Sequence, residues 1–298
     1  MITGGSDVSH DLAHREALPL VAVPPRWVDE LLGTAVSRDA CHGDIHIRTS
    51  GPAAHATTCI YDAVHLEAQA LREKVAAAYR AIIGSLAEMS RHPARFWNFI
   101  PDIGAPMADG LDRYMVFNAG RHDAFKDQYG ALGTASAVGI KGSDLSIHCL
   151  ALDRTGAAVE NPRQIPAWQY SSRYGPLPPC FSRATRVVLY GRPMLLIGGT
   201  ASVVGEDSRH PGQFDAQVKE TLLNLDALIR AANASRAEVS VPLHNLVDLR
   251  VYVTSPAEAD RVREMLVASC PRARTIAVAI AQVCRPELLV EIEGVAEL

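Results

Sequence analysis

No apolar run in the chain approaches the 18 residues that a membrane-spanning helix requires, so the sequence offers no transmembrane segment. Positive charge is not in excess either: 29 Lys+Arg stand against 33 Asp+Glu, for a net charge of -4. Without a positive field, binding of a polyanion by counterion release has no support, and a nucleic-acid partner is not expected. Cysteine is sparse, and Cys41, Cys59, Cys149, Cys180, Cys270 and Cys284 are scattered with no C-x-x-C pair. That spacing suits reduced thiols in a cytoplasmic protein better than a zinc or redox centre. The first 25 residues place Asp7, Asp11, His14, Arg15 and Glu16 among Ser and Gly, which is not the basic-then-apolar order of an export signal. H-E-x-x-H, G-x-G-x-x-G, a phosphate loop ending in G-K-[ST] and a nucleophile elbow are all missing, so no metal or cofactor is expected. What remains is 298 residues, 48 % hydrophobic and 21 % charged, enough for one large domain or two smaller ones with a substantial core.

Periodicity predicts a helix over 62–88 with Asp62 as its N-cap, and a second over 108–128. An alternating piece at 44–48 reads as an edge strand, and strands over 134–140 and 144–152 flank the turn Lys141-Gly142-Ser143. The segment 161–180 is rich in proline and aromatics and admits neither a long helix nor a central strand. Beyond it the pattern gives strands at 186–190 and 194–198, a helix over 214–232, a strand at 246–254, a helix over 256–268, and strands at 275–283 and 288–295. The order helix, extended piece, helix, strand, strand occurs twice. Thr134-Ala-Ser-Ala-Val-Gly-Ile140 is echoed by Thr275-Ile-Ala-Val-Ala-Ile-Ala281, which suggests a duplicated architecture.

Four places look chemical. Helical spacing puts Arg121 on one face with Tyr114, Phe117 and Phe125, where it is either a structural ion-pair partner or a fork for a substrate carboxylate. Tyr170, Tyr174 and Arg183 are held by stiff Gly- and Pro-containing backbone, either over a cleft or over the junction of two halves. Gly198-Gly199-Thr200-Ala-Ser202 follows a strand and reads as an anion-facing turn or a bulge. Finally, Val290-Glu-Ile-Glu293 alternates, so both glutamates share a face. On a solvated sheet they would be ordinary carboxylates; in an apolar cleft Glu291 would hold its proton to higher pH and serve as a general acid. Cys284, seven residues earlier, is either a small buried apolar group or part of that site.

In order, Phe117-Asn-Ala-Gly-Arg121, Asn161-Pro-Arg-Gln-Ile165, Tyr170, Tyr174-Gly-Pro176, Phe181-Ser-Arg-Ala184, Gly199-Thr-Ala-Ser202, Ser208-Arg-His-Pro-Gly212 and Cys284-Arg-Pro-Glu-Leu-Leu-Val-Glu-Ile-Glu293 resemble the bacterial chorismatase family, which includes the 3-hydroxybenzoate synthases. The resemblance runs from about residue 90 to the C-terminus. The last hundred residues also resemble the Rid group of enamine/imine deaminases, whose fold chorismatases share. The resemblance therefore implies an α+β protein of two Rid-like (chorismate-mutase-like) halves, with mixed sheets packed against helices. Residues 1–155 would form the N-terminal half with its irregular leader, 156–182 a Pro/aromatic linker, and 183–298 the C-terminal half bearing the acid.

It further implies chorismate as substrate, bound by Arg121, Tyr170, Tyr174, Arg183, Gly199 and Thr200. Glu291 would protonate the enolpyruvyl ether, and Cys284 would mark the members that release 3-hydroxybenzoate with pyruvate. Hydrolysis to a dihydroxycyclohexadiene carboxylate, or a mixture of 3- and 4-hydroxybenzoate, is the alternative outcome. Two readings of other classes are a Rid-like deaminase, for which Arg274 is the candidate arginine, and a non-catalytic binder of aromatic acids. No cofactor is implied, and the chain is expected as a monomer or homotrimer.

Overall fold

The computed structural model describes residues 18–19, 22–33, 38–42, 44–125, 133–233 and 241–298. Asp7 to Glu16 of the leader, the 126–128 end of the second expected helix and the Cys41 side chain lie outside the described residues. After β1 (Leu18–Pro19) and α1 (Arg26–Leu32), the first half comprises β2 (Arg38–His42), β3 (Ile45–Ser50), β4 (Ala53–Ile60), α2 (Ala68–Glu88), β5 (His92–Pro101), α3 (Arg113–Phe125), β6 (Thr134–Ile140) and β7 (Leu145–Leu152). The second half comprises β8 (Ala157–Val159), β9 (Ala184–Leu189), β10 (Arg192–Ala201), the small hairpin of β11 (Val203–Val204) and β12 (Asp207–Ser208), α4 (Phe214–Ala232), β13 (Leu246–Val253), α5 (Ala259–Ser269), β14 (Thr275–Ile280) and β15 (Val290–Glu297).

The duplication faintly visible in sequence is explicit in topology. One sheet runs β2-β3-β4-β7-β5-β6 and the other β1-β14-β13-β15-β10-β9-β8. In both, the fifth strand of a β-β-α-β-α-β-β unit inserts between the second and third, and only the third and fourth pair in parallel within that unit. The echoed stretches Thr134–Ile140 and Thr275–Ile280 are the fourth strands of the two units, β6 and β14.

Side-chain alternation sorts each strand between two cores. On β5, Phe96 and Ile100 join Leu71, Tyr79 and Ile82 of α2, whereas Trp97 and Phe99 join Leu196, Tyr252 and Val295 of the opposite sheet. On β15, Val290 and Ile292 face α4 and α5, while Val295 faces the first sheet. The layers are therefore helix, sheet, sheet, helix, and strands covered on both faces lose the polar alternation of a solvated sheet.

Several boundaries shift by a few residues, and three departures from the sequence expectation have a local physical cause. Asp62 is not an N-cap: it has φ 52°, its N–H donates to Asp144 Oδ1 at 2.9 Å, and a 3-10 turn over Ala63–His65 precedes α2. The second helix starts at Arg113, because Asp112 Oδ1 accepts from the Met115 N–H at 2.7 Å and caps it there. Of the 44–48 piece, residues 45–48 lie within β3, which is not an edge, since β2 pairs along its outer side.

Candidate active site

A cleft of about 240 Å³ opens where the two halves meet. Its walls are the start and face of α3, the middle of β6, the linker, the end of β10, the loop 284–288 and Glu291 on β15. Each wall is fixed by bonds that the local sequence supplies. α3 lies close against α2 because Gly120 faces the Arg72 carbonyl, where a Cβ would overlap, and Arg72 donates twice to Asp123 at 2.7 and 3.0 Å. The linker is held to the small hairpin: Gln164 Nε2 donates to Val203 O at 3.1 Å, and the Ser171 N–H and hydroxyl both donate to Glu206. The 284–288 loop is held to α4 through Gln217, which receives the Leu289 N–H at 2.8 Å and donates to Glu287 O at 2.8 Å. Reciprocal backbone bonds between Gly139 and Gln282, 2.8 and 3.2 Å, fasten that loop to the first half.

Glu291 is 4 % exposed and accepts no hydrogen bond from the described residues. Burial, reinforced by the neighbouring carboxylate of Glu293 and opposed by Arg95 and Arg183, pushes its carboxyl up to about 8. A protonated carboxyl is thus available at neutral pH. The sequence leaves a solvated carboxylate open at this position; the opposite sheet is what buries it.

Gly198 and Gly199 are not a strand end but a bulge inside β10, where the register with β15 steps from Ile197↔Gly294 to Thr200↔Ile292. At Gly198 a Cβ would come within 2.7 Å of the Ala135 carbonyl, and at Gly199 it would overlap Glu291 Oε1 and approach Cδ to 2.7 Å. The bulge therefore makes room for the carboxyl. Gly199→Ala is expected to fold yet displace that group, lowering kcat by about 100-fold with a near-native circular dichroism spectrum and little change in KM. Thr200 is not among the lining residues; its hydroxyl donates back to Gly198 O at 3.0 Å.

Arg121 lines the cleft at 2 % exposure. Its Nε and Nη2 have no hydrogen-bond partner, and the guanidinium lies over the rings of Tyr79 at 5.4 Å and Phe181 at 5.6 Å rather than against a carboxylate. A buried cation in that state is costly and calls for an anion. Arg183 donates through Nη2 to Tyr170 Oη at 2.5 Å and Ile165 O at 3.1 Å, and its Nε is unpartnered. Tyr170 and Tyr174 lie 5.3 Å apart by ring centroid. The Cys284 thiol, half-buried near Glu291, is pushed up to about 12 by desolvation, which makes it a neutral wall or weak donor and not a thiolate.

The structure thus gathers Glu291, Cys284, Arg121, Tyr170, Tyr174, Arg183 and Gly199 in one cleft. It adds two residues that sequence reasoning missed as site members. Arg285 packs 3.9 Å over the Tyr174 ring while its Nη1 donates to Glu206 O at 2.8 Å. Tyr114 lies near Cys284 and Glu291, and its phenol is pushed up by burial. Arg274, the arginine on which a deaminase would depend, is exposed and borders a different depression with Tyr190 and Arg192.

Comparison with known proteins identifies relatives of the chain. A family model described as "Chorismatase FkbO/Hyg5-like, N-terminal" matches residues 31–151. The chain is 34 % identical over 235 residues to a 3-hydroxybenzoate synthase of Streptomyces hygroscopicus, covering 75 % of this chain and 69 % of that one. It is 36 % identical to a chorismatase of Streptomyces rapamycinicus, covering 72 % of this chain and 66 % of the relative. A crystal structure of a chorismatase superposes with a TM-score of 0.78 at 27 % identity, over 87 % of this chain and 78 % of its own. With a relative of that identity covered over more than two thirds of its length, and with the doubled α+β fold shared, the chain belongs to the chorismatase family of enzymes.

Proposed function

We propose that the protein converts chorismate to 3-hydroxybenzoate and pyruvate in the cytoplasm, using Glu291 as a general acid. The single observation that carries this reading is a buried carboxyl, Glu291, in the same cleft as two guanidinium groups with unpartnered donors, Arg121 and Arg183. Chorismate carries two carboxylates, and two separated guanidinium anchors match that dianion. The 156–182 segment forms one wall of the cleft.

Glu291 donates its proton to the enol methylene carbon, and the C=C electron pair forms the new C–H bond. Positive charge develops on the carbon bearing the ether oxygen, close to the Glu291 carboxylate left behind. Water adds there, the bond from that carbon to the ring oxygen breaks, pyruvate leaves, and the carboxylate recovers a proton. The ring product is a diene diol, and loss of one water from it gives 3-hydroxybenzoate, so water is consumed and returned and the net change is chorismate to 3-hydroxybenzoate plus pyruvate. Hydroxybenzoate as the final product is supported by the likeness to a 3-hydroxybenzoate synthase and by Cys284 beside the acid. The five described cysteines are free, in keeping with a reducing compartment.

Purified protein and chorismate should yield pyruvate in a dehydrogenase-coupled assay, with 3-hydroxybenzoate as the chromatographic product. Pyruvate at only the spontaneous rate would refute the activity, and a stable diene diol would refute the product. Because the acid must be protonated to act, kcat/KM should hold on the acid side of about pH 8 and fall about tenfold per unit above it. A profile flat to pH 10 would assign the proton to another group.

A further inference from the structure

Glu293 shares the inward face of β15 with Glu291 and is 1 % exposed. Its Oε2 accepts from Arg95 Nη2 at 2.8 Å and from the Ser136 hydroxyl, and its Oε1 accepts from Trp97 Nε1 at 2.9 Å. Arg95 Nη2 also donates to Ser136 Oγ at 2.5 Å. All three donors come from the first half, on β5 and β6, whereas the carboxylate comes from the second. Ser136 lines the cleft, so the cluster touches the site from behind the acid.

We propose that Glu293 is a positioning residue: clamped by Arg95, Trp97 and Ser136 across the junction of the halves, it fixes a second carboxyl beside Glu291 on the same face of β15 and so tunes the acid. This deepens the reading of Glu291 as the acid and rests on it.

The other charged and titratable groups around the pair are identifiable. On β13, Tyr252 stands opposite Glu291 in register, Arg250 stands opposite Glu293, and Asp248 lies near Glu293. Asp248 is pushed up to about 6 by burial, so it has already ionised before the Glu291 limb and contributes a constant charge across it. Arg183 from the linker side and Arg95 from β5 oppose the effect of Glu293 on Glu291. From α3, Tyr114 faces Glu291, and Cys284 faces it from the loop; burial keeps both neutral through the limb.

The test is the pH profile of kcat/KM. Glu293→Gln removes the negative charge and leaves Arg95, so the alkaline limb should move to lower pH by about one unit. Arg95→Lys keeps both charges, and its limb should stay within about 0.3 units of wild type. A folded Glu293→Gln protein with an unmoved limb overturns the proposal, since a merely structural role would lower stability or kcat without shifting the limb. Should Glu293→Gln fail to fold, the wild-type protein labelled with carbon-13 at the glutamate carboxyl still decides. In that spectrum the Glu291 carboxyl, assigned by its loss in Glu291→Gln, must still be protonated at pH 7, and a carboxylate signal there overturns the proposal. The labelled spectrum needs no turnover, so failure of the chorismatase reading and failure of this inference are separable.

Discussion

Glu291→Gln is expected to release pyruvate from chorismate at least about 100-fold more slowly than wild type, the usual worth of a positioned general acid. Gln fills the same volume and cannot donate a proton to carbon, so substrate binding by Arg121 and Arg183 should persist and the loss should fall on kcat. The same variant has an independent thermodynamic signature. The folded-state pKa of Glu291, about 8, lies above its unfolded value, so the native state binds more protons between about pH 4.5 and 8. The sign follows: the wild type loses stability as pH rises through that window, and Gln at 291 does not. The melting temperature of the variant should therefore gain on wild type between pH 6 and 9. Equal melting at both pH values, with normal turnover, would remove Glu291 from the centre of the chemistry.

The second large effect is on folding. Arg95 and Glu293 form an ion pair in which both side chains are 2 % exposed. Arg95→Met leaves the Glu293 carboxylate buried with only the Trp97 and Ser136 donors, and breaking a buried pair on one side typically costs about 3–5 kcal/mol. Urea unfolding should show that loss, and the double replacement Arg95→Met with Glu293→Met should recover much of it, because the uncompensated charge is gone. A single-variant loss under about 1 kcal/mol would mean that water reaches the pair and screens it.

These expectations draw unequally on sequence and on structure. Helix α4 is legible to the residue, Phe214 to Ala232, because its apolar residues recur at helical spacing along one buried face. Strands β4 and β5 are not: Ala53–Ile60 is made of small and polar residues, and His92–Pro101 is covered on both faces, so neither alternates. Glu291 could be nominated from the Val-Glu-Ile-Glu alternation, but whether its face was wet or dry depended on a sheet more than a hundred residues away in sequence. The Arg95–Glu293 pair, 198 residues apart, left no local trace at all. Arg285 stood in a motif already noticed, Cys284-Arg-Pro-Glu, but its stacking on Tyr174 needs the linker folded back to be seen. Thr200 stands in the same run as Gly199, and its hydroxyl turns to its own backbone, which the run itself does not reveal.

The repeated topology bears on stoichiometry. Aligning the fifth strands of the two units by their first residues sets Ile147 over Ile292, both facing helices, and so puts Ser146 and His148 where the second unit has Glu291 and Glu293. The fold is written twice, yet the carboxyl pair is written once. Equilibrium titration with a non-hydrolysable ligand should accordingly saturate at one molecule per polypeptide, with the first copy of the unit acting as a scaffold that completes its sibling.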